Sequence, residues 1–270
     1  YKIIPAGEDG SRTFTWSSSI DVDGDTATTE YVSDIFPYAS GLGVSVESGS
    51  YAFDTFSTTD GATFTSVDLP ATTIEAEKAV SFGGDTYILA GNRIYSDELG
   101  SCALVSAANS PGSAETTLAD IYVSSPLGGL FIASRDGTLF MHDGSSWLTP
   151  VELFAEEIEG ISSDEVYTLS SAPIGADQVL LVGTDKGYLE FIISGSLDVL
   201  DFVDSEDVLL VKVPGVETTT TSGGDYDVVD LENSVVLDFD LVDSDLFVST
   251  AGAGLWQTDT ADADRRWSRE

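Results

Sequence analysis

The sequence predicts an all-β fold built from repeated units, and three observations carry that prediction. Helical periodicity is nearly absent: Ile74 to Val80 and Val151 to Ile161 are the only stretches with helical spacing, and the first is too short to stand alone. Short β-rich runs bounded by Gly, Asp, Asn and Ser dominate instead, at Tyr31–Phe36, Tyr87–Ala90, Ile121–Ser124, Leu130–Ser134, Val179–Val182, Val235–Asp240 and Leu246–Thr250. A nine-residue pattern also recurs at the period of a four-stranded unit. Together they predict a β-propeller of four-stranded antiparallel blades, five in number, with six as the alternative.

The repeat reads Gly43-Val-Ser-Val-Glu-Ser-Gly-Ser-Tyr51, Phe131-Ile-Ala-Ser-Arg-Asp-Gly-Thr-Leu139, Leu181-Val-Gly-Thr-Asp-Lys-Gly-Tyr-Leu189 and Phe247-Val-Ser-Thr-Ala-Gly-Ala-Gly-Leu255, with a shortened copy from Tyr87 to Ile94. Each is the end of a strand, a polar turn, and an apolar residue opening the next strand. The seventh place is Gly49, Gly137 and Gly187, where a turn needing positive φ selects glycine. The fourth copy has Ala253 there, so Gly252 or Gly254 is expected to take over. The anchors Gly43, Tyr87, Phe131, Leu181 and Phe247 are 44, 44, 50 and 66 residues apart.

The long last spacing predicts a loop insertion at 204–232, around the low-complexity run from Glu217 to Gly224, within a single domain spanning 1–270. A propeller must also join its first and last blades. Ser11–Ser18 and Asp264–Ser268 both read as outer strands, and the N-terminal one is expected to pair into the final blade.

A second element follows the hairpins. Asp60-Gly-Ala-Thr-Phe64 and Asp143-Gly-Ser-Ser-Trp147 share one spacing, with looser versions at Asp9–Phe14 and Asp262–Trp267. An Asp/Gly turn followed by an aromatic that tucks under the neighbouring blade accounts for the pattern. Thr58-Thr-Asp-Gly-Ala-Thr-Phe64 and Asp9-Gly-Ser-Arg-Thr-Phe14 resemble the box of the Asp-box (BNR-type) propellers, which runs Ser-x-Asp-x-Gly-x-Thr-Trp. The first is one residue short and neither has the tryptophan, so the resemblance implies a fold and no activity.

Ten Lys and Arg against 47 Asp and Glu give a net charge of −37. Nucleic acids and anionic membrane surfaces are therefore excluded as partners, because both demand basic patches. The chain is nevertheless 42% hydrophobic, which is enough for a sizeable core. Dense carboxylates with few lysines fit an extracytoplasmic protein (secreted, periplasmic or lipid-anchored) or one from a high-salt organism. The single cysteine, Cys102, excludes an internal disulfide and reads as a small buried hydrophobe of the second blade.

Three groups of residues invite a chemical reading. Asp21, Asp23, Asp25 and Glu30 offer alternating carboxylates of the kind that wrap Ca2+, although the EF-hand spacing is not met. Asp238 and Asp240 alternate with apolar residues and could line a central channel, or serve as charges that keep an edge from aggregating. His142 beside Asp143 reads as an exposed turn residue, and Trp16, Trp147, Trp256 and Trp267 read as inter-blade core. No hydrolase nucleophile motif or phosphate-binding loop is present. Tyr1-Lys-Ile-Ile-Pro5 only loosely matches the sialidase Phe/Tyr-Arg-Ile-Pro signature, having lysine in place of its arginine and one extra residue. The expectation is a non-catalytic binding or scaffold propeller with a protein or carbohydrate ligand. The alternative is a glycosidase-like propeller enzyme, calcium-assisted in one version.

Overall fold

The computed structural model describes residues 2–3, 14–15, 31–38, 41–47, 53–61, 63–69, 75–98, 101–113, 117–154, 165–175, 177–192, 210–211, 234–261 and 268–269. Every apolar run predicted as a strand falls on one, Val235 alone lying just before its strand, and twenty strands form five antiparallel sheets of four. Blade one is β3 (Tyr31–Tyr38), β4 (Gly41–Glu47), β5 (Phe53–Thr58) and β6 (Thr65–Ser66). Blade two is β7 (Ala76–Phe82), β8 (Asp85–Ala90), β9 (Arg93–Glu98) and β10 (Ser101–Leu104). Blade three is β11 (Leu118–Ser124), β12 (Gly129–Ser134), β13 (Thr138–His142) and β14 (Val151–Glu152). Blade four is β15 (Val166–Ile174), β16 (Asp177–Thr184), β17 (Gly187–Ile192) and β18 (Leu210–Val211). Blade five is β19 (Val236–Val242), β20 (Asp245–Thr250), β21 (Gly254–Asp259) and β22 (Ser268–Arg269). The first strands β3, β7, β11, β15 and β19 lie against one another in chain order, as the axis-side strands of a β-propeller do.

The five blades share one irregularity. Each first strand carries a bulge near its start, at Ser33, Glu77, Ala119, Tyr167 and Leu237. After it the register resumes at Asp34↔Ser45, Lys78↔Leu89, Asp120↔Ala133, Thr168↔Gly183 and Asp238↔Ser249. Each of the five sequence anchors sits two residues before the bulge partner, so the repeat is in register through all five blades. A bulge bends its strand and adds twist, which re-aims the residue that follows.

The turns obey their predicted chemistry. Gly137 and Gly187 have φ of 94° and 85°, while around the buried Ala253 both neighbours take the left-handed conformation, Gly252 at 100° and Gly254 at 89°. The fourth place of the repeat closes the same turns, as the hydroxyls of Thr184 and Thr250 donate to the carbonyls of Gly187 and Gly254 at 2.9 and 2.8 Å. Gly49 lies outside the described residues.

Apolar packing is organised by interface. One cluster joins Phe36 and Tyr38 of blade one to Ala79, Ile88 and Tyr95 of blade two, with the half-buried Cys102 against it. Further clusters join blades two and three (Leu89 and Ile94 with Ile121 and Ile132), three and four (Phe131 and Met141 with Leu169 and Leu180), and four and five (Leu181 and Tyr188 with Phe239 and Trp256). Strand β12 is buried along its whole length because blade three has a blade on each side, whereas β20 alternates. The six exposed large apolar side chains among the described residues (Val32, Ile35, Leu42, Leu237, Val242 and Leu255) all belong to blades one and five.

Polar stitches run between the same blades. The Tyr38 hydroxyl donates to Asp97 at 2.5 Å, and the Ser45 hydroxyl to the Ala76 carbonyl at 2.8 Å. Asp120 ties three blades together. Its carboxylate accepts from Lys78 Nζ of blade two at 2.7 Å, and from Leu169 N and Thr168 Oγ1 of blade four at 2.8 and 3.1 Å. It also accepts from the backbone N of Ile121 at 2.7 Å.

Residues 76–80 of the helically spaced stretch lie in β7, in keeping with its being too short to stand alone as a helix. One expectation changes. Among the described residues the N-terminal strand pairs outside the final blade: Phe14–Thr15 (β2) pairs with Lys2–Ile3 (β1), and Ser268–Arg269 completes blade five against Trp256 and Gln257. Within the predicted insertion, Leu210–Val211 is the fourth strand of blade four, and the rest of 204–232 lies outside the described residues.

Candidate functional site

A cleft of about 690 Å3 opens between blades two and three. One wall is the turn after β13, which the Asp143 side chain folds. Its carboxylate accepts the N–H groups of Ser145 and Ser146, both at 2.7 Å, while Gly144 takes φ 94°. The turn brings Trp147 back into a β-bridge with His142, with the two rings 5.0 Å apart at 83°. The Asp60 turn has the same place in blade one, between third and fourth strands, and Asp60 likewise accepts the N–H three residues on, from Thr63 at 2.7 Å.

The second wall comes from blade two. Gly83 and Gly84, at φ 65° and 99°, form the tight hairpin between β7 and β8. The hairpin sets Phe82 edge-on to His142 at 5.8 Å and places Asp85 on the cleft lining. Tyr87 of β8 stands 6.3 Å from His142 and 6.4 Å from Trp147. The segment after β10 forms the third wall, with Asn109 at φ 63°. Phe82 with His142, Tyr87 with Trp147 and His142 with Trp147 thus meet at 83–87°, a geometry in which electropositive edges point at electronegative faces, and Tyr87 is tilted at 49° to His142.

Burial holds His142 below the ordinary imidazole range, against the opposing pull of Asp143 and Asp85. Its Nδ1 accepts the Gly144 N–H at 2.9 Å, an arrangement that requires Nδ1 to be unprotonated. The backbone donors of Ser146 and Ser145 hold the Asp143 carboxyl below its usual value. Among the described residues no hydrogen bond or ion pair occupies the Asp85 carboxylate. Elsewhere, burial pushes the Cys102 thiol up to about 11, with Asp97 and Asp68 adding to it, so the thiol stays protonated at neutral pH.

The residues singled out from sequence are placed as follows. Asp21, Asp23, Asp25 and Glu30 lie outside the described residues. Asp238 and Asp240 are exposed on β19, the axis-side strand of blade five, and the Asp238 carboxylate accepts the Phe239 N–H at 2.9 Å. Trp256 is inter-blade core, Trp147 is shared between core and cleft, and Trp16 and Trp267 lie outside the described residues. His142 corrects its reading as an exposed turn residue: it ends β13, half-buried among aromatic rings, because the following turn folds over it. Phe82, Asp85 and Tyr87 were not visible as a site in the sequence. Their one local signal was the Gly83-Gly84 turn, which says nothing of what it faces.

No known protein-family profile matches the chain, and no curated protein does. Solved structures match it in fold. Virginiamycin B lyase from Staphylococcus aureus aligns with 98% of this chain and 75% of its own, at 14% identity and a TM-score of 0.56. YCF48 from Cyanidioschyzon merolae aligns over 90% and 72%, at 13% identity and 0.53. YCF48 bound to D1 peptide aligns over 89% and 67%, at 14% and 0.51. The chain spans 60% of the computationally designed Ika8 protein. These likenesses establish the propeller fold.

Proposed function

We propose that this chain is a single-domain, non-catalytic β-propeller binding module, working outside the cytoplasm, whose ligand is a protein segment held in the cleft between blades two and three. The observation that carries the reading is the cleft's chemistry: an aromatic wall of Tyr87, His142 and Trp147 with, among the described residues, a single lining carboxylate, Asp85. Concave sites that combine aromatic side chains with placed polar groups are a usual form of a binding site, and this cleft sets its three rings among serine, asparagine and aspartate side chains. Glycosidic cleavage instead takes two carboxylates flanking the scissile bond. One structural neighbour carries a bound peptide, which supports the choice of a protein segment over a sugar. The matched positions of the Asp60 and Asp143 turns support reading the repeats as degenerate Asp boxes.

The test is selection of a displayed peptide library on the whole protein, followed by binding measurements on Trp147→Ala and on Asp238→Asn/Asp240→Asn. Peptides that lose binding to the first variant and keep it with the second support the cleft. Selected peptides that bind Trp147→Ala undiminished, or release of reducing sugar from a polysaccharide panel, would overturn the reading.

A further inference from the structure

We infer that the cleft between blades two and three recognises an alkylammonium group, as borne by a lysine, a methylated lysine or a choline-like head, with Asp85 as its counter-ion. The inference rests on the binding reading above and names the chemistry of the ligand. It starts from the lining: Tyr87, His142 and Trp147 stand on one cleft together with Asp85, Trp147 lying at 83° to both other rings and Tyr87 at 49° to His142, while Phe82 packs edge-on against His142 outside the lining. A rounded cation is attracted to several electron-rich faces at once, whereas a flat sugar ring stacks on one.

Charge points the same way. Asp85 lines the cleft with no hydrogen bond or ion pair among the described residues, so a carboxylate is available on the aromatic rim. His142 would oppose a cation if it were protonated, but its Nδ1 is already an acceptor for Gly144 N–H at 2.9 Å, and burial favours the neutral ring. Among the described residues, the titratable and charged groups that face it are Asp85 at the start of β8, Asp143 on its own turn, and Tyr87 from β8, none of them cationic at neutral pH. The remaining lining side chains among the described residues, Ser96 and Asn109 included, are uncharged. A net charge of −37 raises the local concentration of any cation around the molecule.

The chain contains one histidine, so the imidazole proton signal of His142 is a unique reporter inside the cleft. The experiment titrates the whole protein with choline, and separately with its neutral isostere 3,3-dimethylbutan-1-ol, at matched ionic strength and neutral pH. Choline should shift the His142 signal saturably and bind at least about tenfold more tightly than the isostere, as expected for a desolvated cation–π site. Asp85→Asn and Trp147→Phe, both conservative in volume and checked for an unchanged melting temperature, should each weaken choline several-fold. Lowering the pH until His142 protonates should weaken it further.

If the isostere binds as well as choline, the cleft is a binding site and the cationic class is wrong. If neither moves the His142 signal, the alkylammonium inference fails, while peptides sensitive to Trp147→Ala would still uphold the cleft. If choline binding survives both variants, the ion sits elsewhere on the acidic surface and the inference is overturned.

Discussion

Lys78 and Asp120 occupy the same position of consecutive blades, the residue just after the first-strand bulge, and their side chains meet at 2.7 Å. The pair couples a part-exposed ammonium to a carboxylate that is 8% exposed, and the carboxylate continues into blade four through Leu169 and Thr168. In this chain of four lysines, one is spent on the seam between blades.

Replacing Asp120 should be among the most damaging single substitutions in the molecule. Asp120→Ala leaves the Leu169 N–H and the Thr168 hydroxyl without their acceptor and Lys78 without its partner. Losing one member of such a network costs about 3–5 kcal/mol. Lys78→Met, which leaves Asp120 its three other donors, should cost no more than about 1–2 kcal/mol, given the lysine's exposure. Denaturant titration of the two variants measures the order. Equal costs would mean that the ion pair, and not the wider network, holds the seam.

His142 should give the stability a pH-dependent component. Its folded value lies below the ordinary imidazole one, so the unfolded chain takes up the proton first as the pH falls. The contribution is therefore complete above the unfolded value of about 6.5 and is lost as the pH drops through the folded value. Carboxylate protonation changes stability over an overlapping range, so the quantity to measure is the difference in denaturation midpoint between wild type and His142→Phe. That difference should shift against the wild type between about pH 7.5 and 5. A constant difference would show that His142 protonates alike in both states.

Salt should stabilise the protein. At −37 the folded chain repels itself, and screening grows steeply as the Debye length falls to about 10 Å near 0.1 M. The melting temperature should rise between low and moderate NaCl. A flat or falling profile would remove self-repulsion as a limit on stability.

Calcium binding by Asp21, Asp23, Asp25 and Glu30 is a separate proposal with its own measurement. If the loop holds Ca2+, the ion stabilises the native state by mass action, and Asp23→Ala abolishes the shift. Identical melting curves with calcium and with a matched monovalent salt would return the loop to ordinary hydrated acid.

The local grammar of the fold was legible in the sequence. Period-two apolar runs, glycines at positive φ, and the hydroxyl four places into the repeat depend on neighbours a few residues away, so a single chain displays them. Even the substitution of glycine by Ala253 could be read, because a tight turn must find its left-handed residue next door. The N-terminal strand was misjudged for the complementary reason: Phe14–Thr15 and Ser268–Arg269 carry equally plausible strand patterns, and pairing is not a property of either alone.

What only the tertiary structure decided is where blades touch. The five bulges have no sequence signature, since their residues are Ser33, Glu77, Ala119, Tyr167 and Leu237, yet the one at Ala119 immediately precedes Asp120, whose carboxylate reaches both neighbouring blades. The cleft is of the same kind. Its aromatic wall joins a glycine hairpin of blade two to an Asp turn of blade three, and each is an ordinary turn until stacking sets Phe82 and Tyr87 against His142. Sequence alone determined the repeated sheet, because turns and alternation are short-range. The stitches and the cleft came from the packing of one repeat on the next, which depends on register and twist accumulated over whole strands.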